Sequence, residues 1–189
     1  MEIVSPIPPR GSRLPNARLG LLMTVLIVVT LALLGIRRIE WFLLKESLHH
    51  RFSKVEWITT ANLADWLADK KRAHPILLDV RTEDEWNISR LPGSRRVVPN
   101  ASVEEAASGI TKATPIVTYC AVGYRSAALA TKLVEAGFTS VRNLDGSIFQ
   151  WANEHRPLVR DNKPVTIVHP YSSLWGRLLT DDVRAPVTN

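Results

Sequence analysis

Residues 115–138 read PIVTYCAVGYRSAALATKLVEAGF. The apolar run Pro115 to Tyr119 leads into Cys120, the single cysteine of the chain. Its continuous apolar character suits a strand buried on both faces. From Ser126 to Ala136 the spacing becomes helical, with Leu129, Leu133 and Val134 apolar. Gly137 ends that helix as its left-handed C′ residue, and Phe138 folds back as the hydrophobic partner. The stretch therefore predicts strand, loop and helix in that order, with the cysteine at the strand's carboxyl end.

The same grammar recurs on both sides. KVEWI (54–58) is a short strand, and Thr60 caps ANLADWLADKKR, where Leu63, Trp66 and Leu67 share a face. Pro75-ILLDV (75–80) is another buried strand. Thr82 to Glu85 forms a capping box, as do Ser102 to Glu105. A turn at Leu91-Pro92-Gly93 precedes the strand RRVV (95–98). SVRNL (140–144) is the last strand, and Ile148 to Glu154 the last helix. Such alternation predicts an α/β fold: an open, mostly parallel five-stranded sheet with helices on both faces. Ligands of such sheets bind beyond the carboxyl ends of the strands, where Cys120 falls.

The chain of 189 residues has room for one domain and appendages. A single cysteine excludes an internal disulfide and suits a reduced compartment. Leu19 to Ile36 runs 18 residues without a charge, between Arg18 and the pair Arg37-Arg38. At a rise of about 1.5 Å per residue it covers about 27 Å, close to the hydrocarbon thickness of a bilayer. The expectation is one retained transmembrane helix over 19–38, preceded by a polar segment, 1–18. The run is longer than a secretory signal core, and arginines follow it at once. Basic residues are more numerous on its C-terminal side (Arg37, Arg38, Lys45, Arg51, Lys54) than on its N-terminal side (Arg10, Arg13, Arg18). That places the following domain in the cytoplasm. Residues 39–53 are expected to form a solvated juxtamembrane stalk, in which His49-His50 is not a metal pair. The net charge of +6 gathers beside this block, without a groove-reading motif, so no nucleic-acid partner is expected.

The loop after the buried strand has chemical consequences. A loop that ends at a helix N-terminus turns backbone N–H groups toward one point and adds the positive end of the helix dipole. A sulfur held there is favoured as a thiolate. Gly123 lets the loop curl into a cradle, and Arg125 offers a permanent charge and planar donors. The alternative is a small buried hydrophobe at a strand end.

Three segments together resemble the rhodanese-like domain family. They are Leu78-Asp79-Val80-Arg81 with Glu83, Glu85 and Trp86; Leu91-Pro92-Gly93-Ser94; and Cys120 to Ser126 followed by Leu144-Asp-Gly146-Ser-Ile-Phe-Gln-Trp151. The resemblance covers residues 54–160. It implies a membrane-anchored, single-domain sulfurtransferase acting on small sulfur-containing anions or thiols. Cys120 would take the outer sulfur of a donor such as thiosulfate or polysulfide as a persulfide and pass it to a thiophilic acceptor. The amides of Ala121, Val122, Gly123, Tyr124 and Arg125 would cradle that sulfur, and Arg125 would help bind the anion. No metal or organic cofactor is implied. A non-catalytic sulfur-carrier or binding module at the membrane is the alternative. Related phosphatase domains place five residues between cysteine and arginine; here four stand between Cys120 and Arg125, which fits sulfur.

The chain departs from the family pattern in places. Arg90-Leu91-Pro92-Gly93 lacks the common histidine, and Gly146-Ser147 replaces a common Gly-Gly. The uncharged Ala121, Val122 and Tyr124 leave room for a protein or polysulfide donor. Asp79 and Arg81 are read as structural, with Arg81 pairing Glu85 or the facing loop and Asp79 accepting backbone N–H groups. Trp86 and Trp151 are packing residues and His155 a surface one. The extension 161–189 lies outside the resemblance. Ser172 is expected to cap a short amphipathic helix with Leu174, Trp175, Leu178 and Leu179 on one side, and His169 shows no partner.

Overall fold

The computed structural model describes residues 17–186, apart from the side chains of residues 17–19, 21 and 31–34. The expected polar segment 1–18, with Arg10 and Arg13, lies outside the described residues up to residue 16. Helix α1 runs Ala17–Arg51, and the chain divides into two compact units after Glu40. In the first unit the helix is long and apolar enough to cross a membrane, by length and composition. A signal sequence near an N-terminus meets the same criterion of length and apolarity. Leu22, Leu26, Val28 and Ile36 are exposed along it.

The second unit is the α/β domain. Its sheet strands are β1 (Glu56–Ile58), β2 (Ile76–Asp79), β3 (Arg95–Arg96), β4 (Ile116–Tyr119) and β5 (Val141–Leu144). They lie in the order β1-β5-β4-β2-β3, and every pairing is parallel. The helices between them are α2 (Thr60–Ala68), α3 (Glu83–Ile88), α4 (Val103–Ala106), α5 (Tyr124–Glu135) and α6 (Ser147–Asn153). Side chains alternate across a strand, so neighbours on one strand enter different cores. Leu77, Val117 and Tyr119 join Leu63, Trp66, Ile148 and Phe149 in one cluster. Leu78 and Ile116 join Leu129, Leu133 and Phe138 in the other. This explains why β2 and β4 read as unbroken apolar runs.

Local signals place the helix ends with small shifts. Both capping boxes are present. Thr59, not Thr60, caps α2; Thr60 is buried and gives its hydroxyl to the Glu154 carboxylate at 2.7 Å. Helix α5 starts two residues before the expected Ser126, because Gly123 at φ 115° serves as its N-cap. Its other end closes as expected: the Phe138 N–H reaches the Leu133 carbonyl and the Gly137 N–H that of Val134. Strand β3 is two residues long instead of four. It is an edge strand with β2 as its neighbour in the sheet, and the Val97 N–H adds one further bond to the Asp79 carbonyl.

The expected solvated stalk is a correction. Leu48 is buried, and Lys45 Nζ lies 2.8 Å from Asp145 Oδ2. His49 stacks on Trp57 with ring centroids 4.3 Å apart, and its Nε2 lies 3.3 Å from Asp145 Oδ1. Phe52 meets Tyr124 edge to face. The end of α1 from Trp41 onward therefore packs as part of the domain.

The extension is ordered too. A hairpin, β6 (Leu158–Arg160) and β7 (Lys163–Val165), turns through Asp161 and Asn162, both at positive φ, the backbone a tight two-residue hairpin requires. Val168, Leu179 and Val183 are buried. The expected amphipathic helix is one 3₁₀ turn, Trp175–Leu178, with the Ser172 hydroxyl accepting the Trp175 N–H.

Beside the sheet's carboxyl end, Arg81 and Asp79 are fully buried together. Arg81 Nε and Nη2 bind the Asp79 carboxylate, and the same carboxylate accepts the Arg81 N–H. The rest of the guanidinium reaches the Glu85 and Ser89 carbonyls. Burial lowers the Arg81 pKa, but the charge and bonds of Asp79 outweigh it and the value is raised. Arg81 thus ties β2 to both ends of α3. Its truncation to alanine would strand a buried carboxylate, and we expect a loss of about 3–5 kcal/mol. Chemical denaturation of the full chain in mild detergent measures this.

Candidate active site

Cys120 follows β4 and is 2% exposed. In the loop from Cys120 to Gly123, the carbonyls of Cys120, Ala121 and Gly123 are bonded to other segments. The first turn of α6 donates the Ile148 N–H to the Cys120 carbonyl and the Phe149 N–H to that of Ala121. The Gly123 carbonyl accepts from Asn143 Nδ2 at 2.9 Å and from the Ala127 N–H. Asn143 is held in turn by Thr118, its register partner across β4 and β5, whose hydroxyl donates to Asn143 Oδ1.

With these carbonyls bound elsewhere, the loop turns one N–H toward the sulfur. The Gly123 N–H points at Cys120 Sγ at 3.2 Å. The Tyr124 and Arg125 N–H groups belong to the first turn of α5, where no intrahelical acceptor exists. Successive N–H groups around a left-handed residue form an anion-binding concavity. A methyl group on Gly123 would meet Trp57, Asn143 and Leu48 at 3.4–3.5 Å, ordinary contact. Conformation, not space, requires glycine there.

The Cys120 N–H is bonded to Ser147 Oγ at 3.1 Å, and that hydroxyl donates to the Leu144 carbonyl. Ser147 stands at φ 50°, a region that glycine occupies freely and serine does not. The departure from Gly-Gly thus adds a side-chain bond beneath Cys120.

Arg125 comes to the pocket, but both its terminal nitrogens are engaged. Nη1 and Nη2 each lie 2.8 Å from one oxygen of Glu85. Glu85 also accepts the Thr82 N–H and hydroxyl, as the acid of the α3 capping box. Of the two partners expected for Arg81, Glu85 or the facing loop, the first is corrected: the Glu85 carboxylate goes to Arg125, and Arg81 hydrogen-bonds only the Glu85 carbonyl. Burial lowers the Arg125 pKa, but the Glu85 bond and the nearby Cys120 sulfur outweigh this and raise it. Burial pushes the Glu85 carboxyl up, yet the bond to Arg125 prevails and holds it below the ordinary carboxylate range.

The pocket above Cys120 encloses about 140 Å³. Ala121, Val122, Tyr124 and Arg125 line it from the loop, and Tyr171 and Trp175 from the extension. Sequence reading assigned no role to those two aromatics, and nothing in their local pattern points to the sulfur. Glu85 was legible only as a cap. Among the described residues no cluster of histidine, cysteine, aspartate or glutamate has the makings of a metal site. His49 is a docking residue, and the His169 ring accepts the Tyr171 N–H at 3.0 Å. His155 is exposed and 3.7 Å from Asp182. Trp151 is buried and bonded to the Pro157 carbonyl, and Trp86 stacks with Arg90. Both are packing residues.

A family model, the rhodanese-like domain, matches residues 60–154, and the chain belongs to that family. "Probable adenylyltransferase/sulfurtransferase MoeZ" of Mycobacterium tuberculosis is 31% identical over 107 residues, 56% of this chain and 26% of that protein. "Thiosulfate sulfurtransferase GlpE" of Coxiella burnetii is 30% identical over 103 residues, 54% of this chain and 94% of that one. The chain thus spans about a quarter of the first relative and nearly all of the second. The solved rhodanese-like domain of an Anabaena sp. protein superposes with a TM-score of 0.51 at 23% identity, covering 58% of this chain and 84% of that one. That likeness concerns the fold. Sulfur transfer is the general role the named relatives support.

The depressed Glu85 carboxyl has a pH consequence. Its contribution to stability is complete above the ordinary carboxylate value, about 4.3, and is lost as pH falls through the lower folded value. The stability difference between wild type and Glu85→Gln should be full at pH 6–7 and shrink below about pH 4.3. Thermal unfolding of both proteins from pH 7 to pH 3 checks it.

Proposed function

We propose that the chain is a sulfurtransferase that carries a sulfane sulfur on Cys120. The observation that carries this reading is the Gly123 N–H directed at Cys120 Sγ, 3.2 Å away, in a loop whose Cys120, Ala121 and Gly123 carbonyls are bonded elsewhere. The thiolate attacks the outer sulfur of thiosulfate or a polysulfide. The sulfur–sulfur bond of the donor breaks, and its electron pair leaves with sulfite or the shortened polysulfide. The transferred sulfur stays on Cys120 as a persulfide anion, in reach of the amides from Ala121 to Arg125. A thiophilic acceptor such as cyanide then attacks the terminal sulfur, and the bond electrons return to the thiolate. Arg125 acts as a fixed positive charge beside the sulfur, oriented by Glu85.

The exposed apolar stretch of α1 supports a single-pass anchor at 19–38. The surplus of basic residues after it supports a cytoplasmic domain. A non-catalytic carrier or binding module is the second reading, favoured by the 2% exposure of Cys120 and by the engagement of Arg125 with Glu85.

Turnover separates the two. With thiosulfate or polysulfide and cyanide, wild type should release thiocyanate over many cycles. Cys120→Ser should release none above background while keeping its unfolding midpoint. A wild type that binds donor but forms no thiocyanate supports the module. The anchor predicts that alkaline carbonate washing leaves the full chain with the membrane fraction.

A further inference from the structure

We infer that the extension 166–186 is the specificity element of the Cys120 site. It selects sulfane donors with an apolar, ring-sized leaving group over small dianions such as thiosulfate. The inference rests on the sulfurtransferase reading and names the class of donor that site takes.

The wall is built, not draped. Tyr171 sits at φ 63°, a left-handed conformation that is an outlier for a bulky residue and is retained only where the surroundings enforce it. Here they do. The Tyr171 N–H is bonded to His169 Nδ1, and the Ser172 N–H reaches the Pro170 carbonyl at 2.7 Å. Ser172 in turn accepts the Trp175 N–H on its hydroxyl and the Gly176 N–H on its carbonyl. The segment is fastened to α6 through Asn153, which donates to the Leu178 carbonyl and accepts the Thr180 N–H. Bonds between Val168, Val183 and Ala185 close the loop. The product of this scaffolding is a Tyr171 ring 4.8 Å from the Arg125 guanidinium, with Trp175 beside it in the pocket wall.

Size and charge then specify the ligand. The pocket, about 140 Å³, is close to the roughly 150 Å³ of a cavity that accepts benzene. Its lining besides Cys120 is Ala121, Val122, Tyr124, Tyr171, Trp175 and Arg125. Arg125 is the one cation among them, and Glu85 neutralises it through two 2.8 Å bonds. Counted over these lining side chains and Glu85, with Cys120 as thiolate and leaving aside the Arg51 guanidinium 5.4 Å from the Tyr124 ring, the formal charge is negative. A dianion would enter against that charge and leave its hydration for aromatic walls. A monoanion with an aromatic body would bury its ring there and place only its sulfane end at the loop amides.

Benzenethiosulfonate is a probe of this class. The Cys120 thiolate attacks its sulfane sulfur. The sulfur–sulfur bond breaks, benzenesulfinate leaves with the electron pair, and the persulfide remains, with no oxidant or reductant needed. The experiment measures the loading rate of Cys120 in the full chain in detergent with benzenethiosulfonate and with thiosulfate. Each rate is divided by that of the same donor with free glutathione, which removes intrinsic reactivity. We expect a normalised preference for benzenethiosulfonate of about tenfold or more. Tyr171→Ala and Trp175→Ala should each lower that preference several-fold, slowing benzenethiosulfonate loading more than thiosulfate loading. Tyr171→Phe, which keeps the ring, should retain it. Equal or better loading from thiosulfate in wild type overturns the inference while leaving sulfur transfer intact. So do alanine variants that slow both donors alike, the mark of a merely structural wall. Loading from neither donor, in a chain whose thiol still alkylates, removes the sulfurtransferase reading and this inference with it.

Discussion

Gly123 holds a left-handed conformation, φ 115° and ψ −9°, at the junction of loop and helix, and the site is arranged around that turn. The reversal points one N–H at the sulfur and one carbonyl at Asn143. It also lets α5 begin at Tyr124, directly after the loop, with first-turn N–H groups that have no acceptor inside the helix. A residue with a side chain would find room there but not the backbone angles. The carbonyls of Cys120 and Ala121 complete the arrangement, because the first turn of α6 binds them from the other side. Two helix N-termini thus act on one loop: the N-cap of α5 gives its N–H to the sulfur, and the first turn of α6 binds two carbonyls that would repel a negative charge.

Around this loop two arginines divide the work. Arg81, wholly buried with Asp79, binds β2 to the ends of α3 and never reaches the pocket. Arg125, part-exposed, stands over the sulfur and is fixed by Glu85, an acid itself oriented by the α3 cap. The capping box of a six-residue helix therefore sets the position of the charge in the Cys120 pocket. Short-range helix chemistry and long-range site electrostatics meet in one carboxylate.

Much of this was legible in the sequence because its cause is local. Apolar runs mark strands buried on both faces, Thr82 and Ser102 mark helix starts, and Gly137 with Phe138 marks a helix end. The position of Cys120 at a strand's carboxyl end followed from the same signals. What was not legible depends on contacts between distant segments. Glu85 and Arg125 are 40 residues apart, and nothing in either motif announces the other. Lys45 and His49 read as a charged stalk because their partner, Asp145, lies on the far side of the chain. Trp175 read as one side of an amphipathic helix, and Tyr171 carried no reading. Their role arises from a strained turn that no local propensity foretells.

The central claim is that this loop makes Cys120 a carrier of sulfur. Intact mass tests it most directly: the full chain in detergent is exposed to polysulfide, cleared of excess donor, and weighed before and after cyanide. The account predicts a gain of one sulfur atom at Cys120 that cyanide removes completely. A folded chain whose thiol alkylates readily, yet which gains no sulfur from polysulfide, thiosulfate or benzenethiosulfonate, would contradict it.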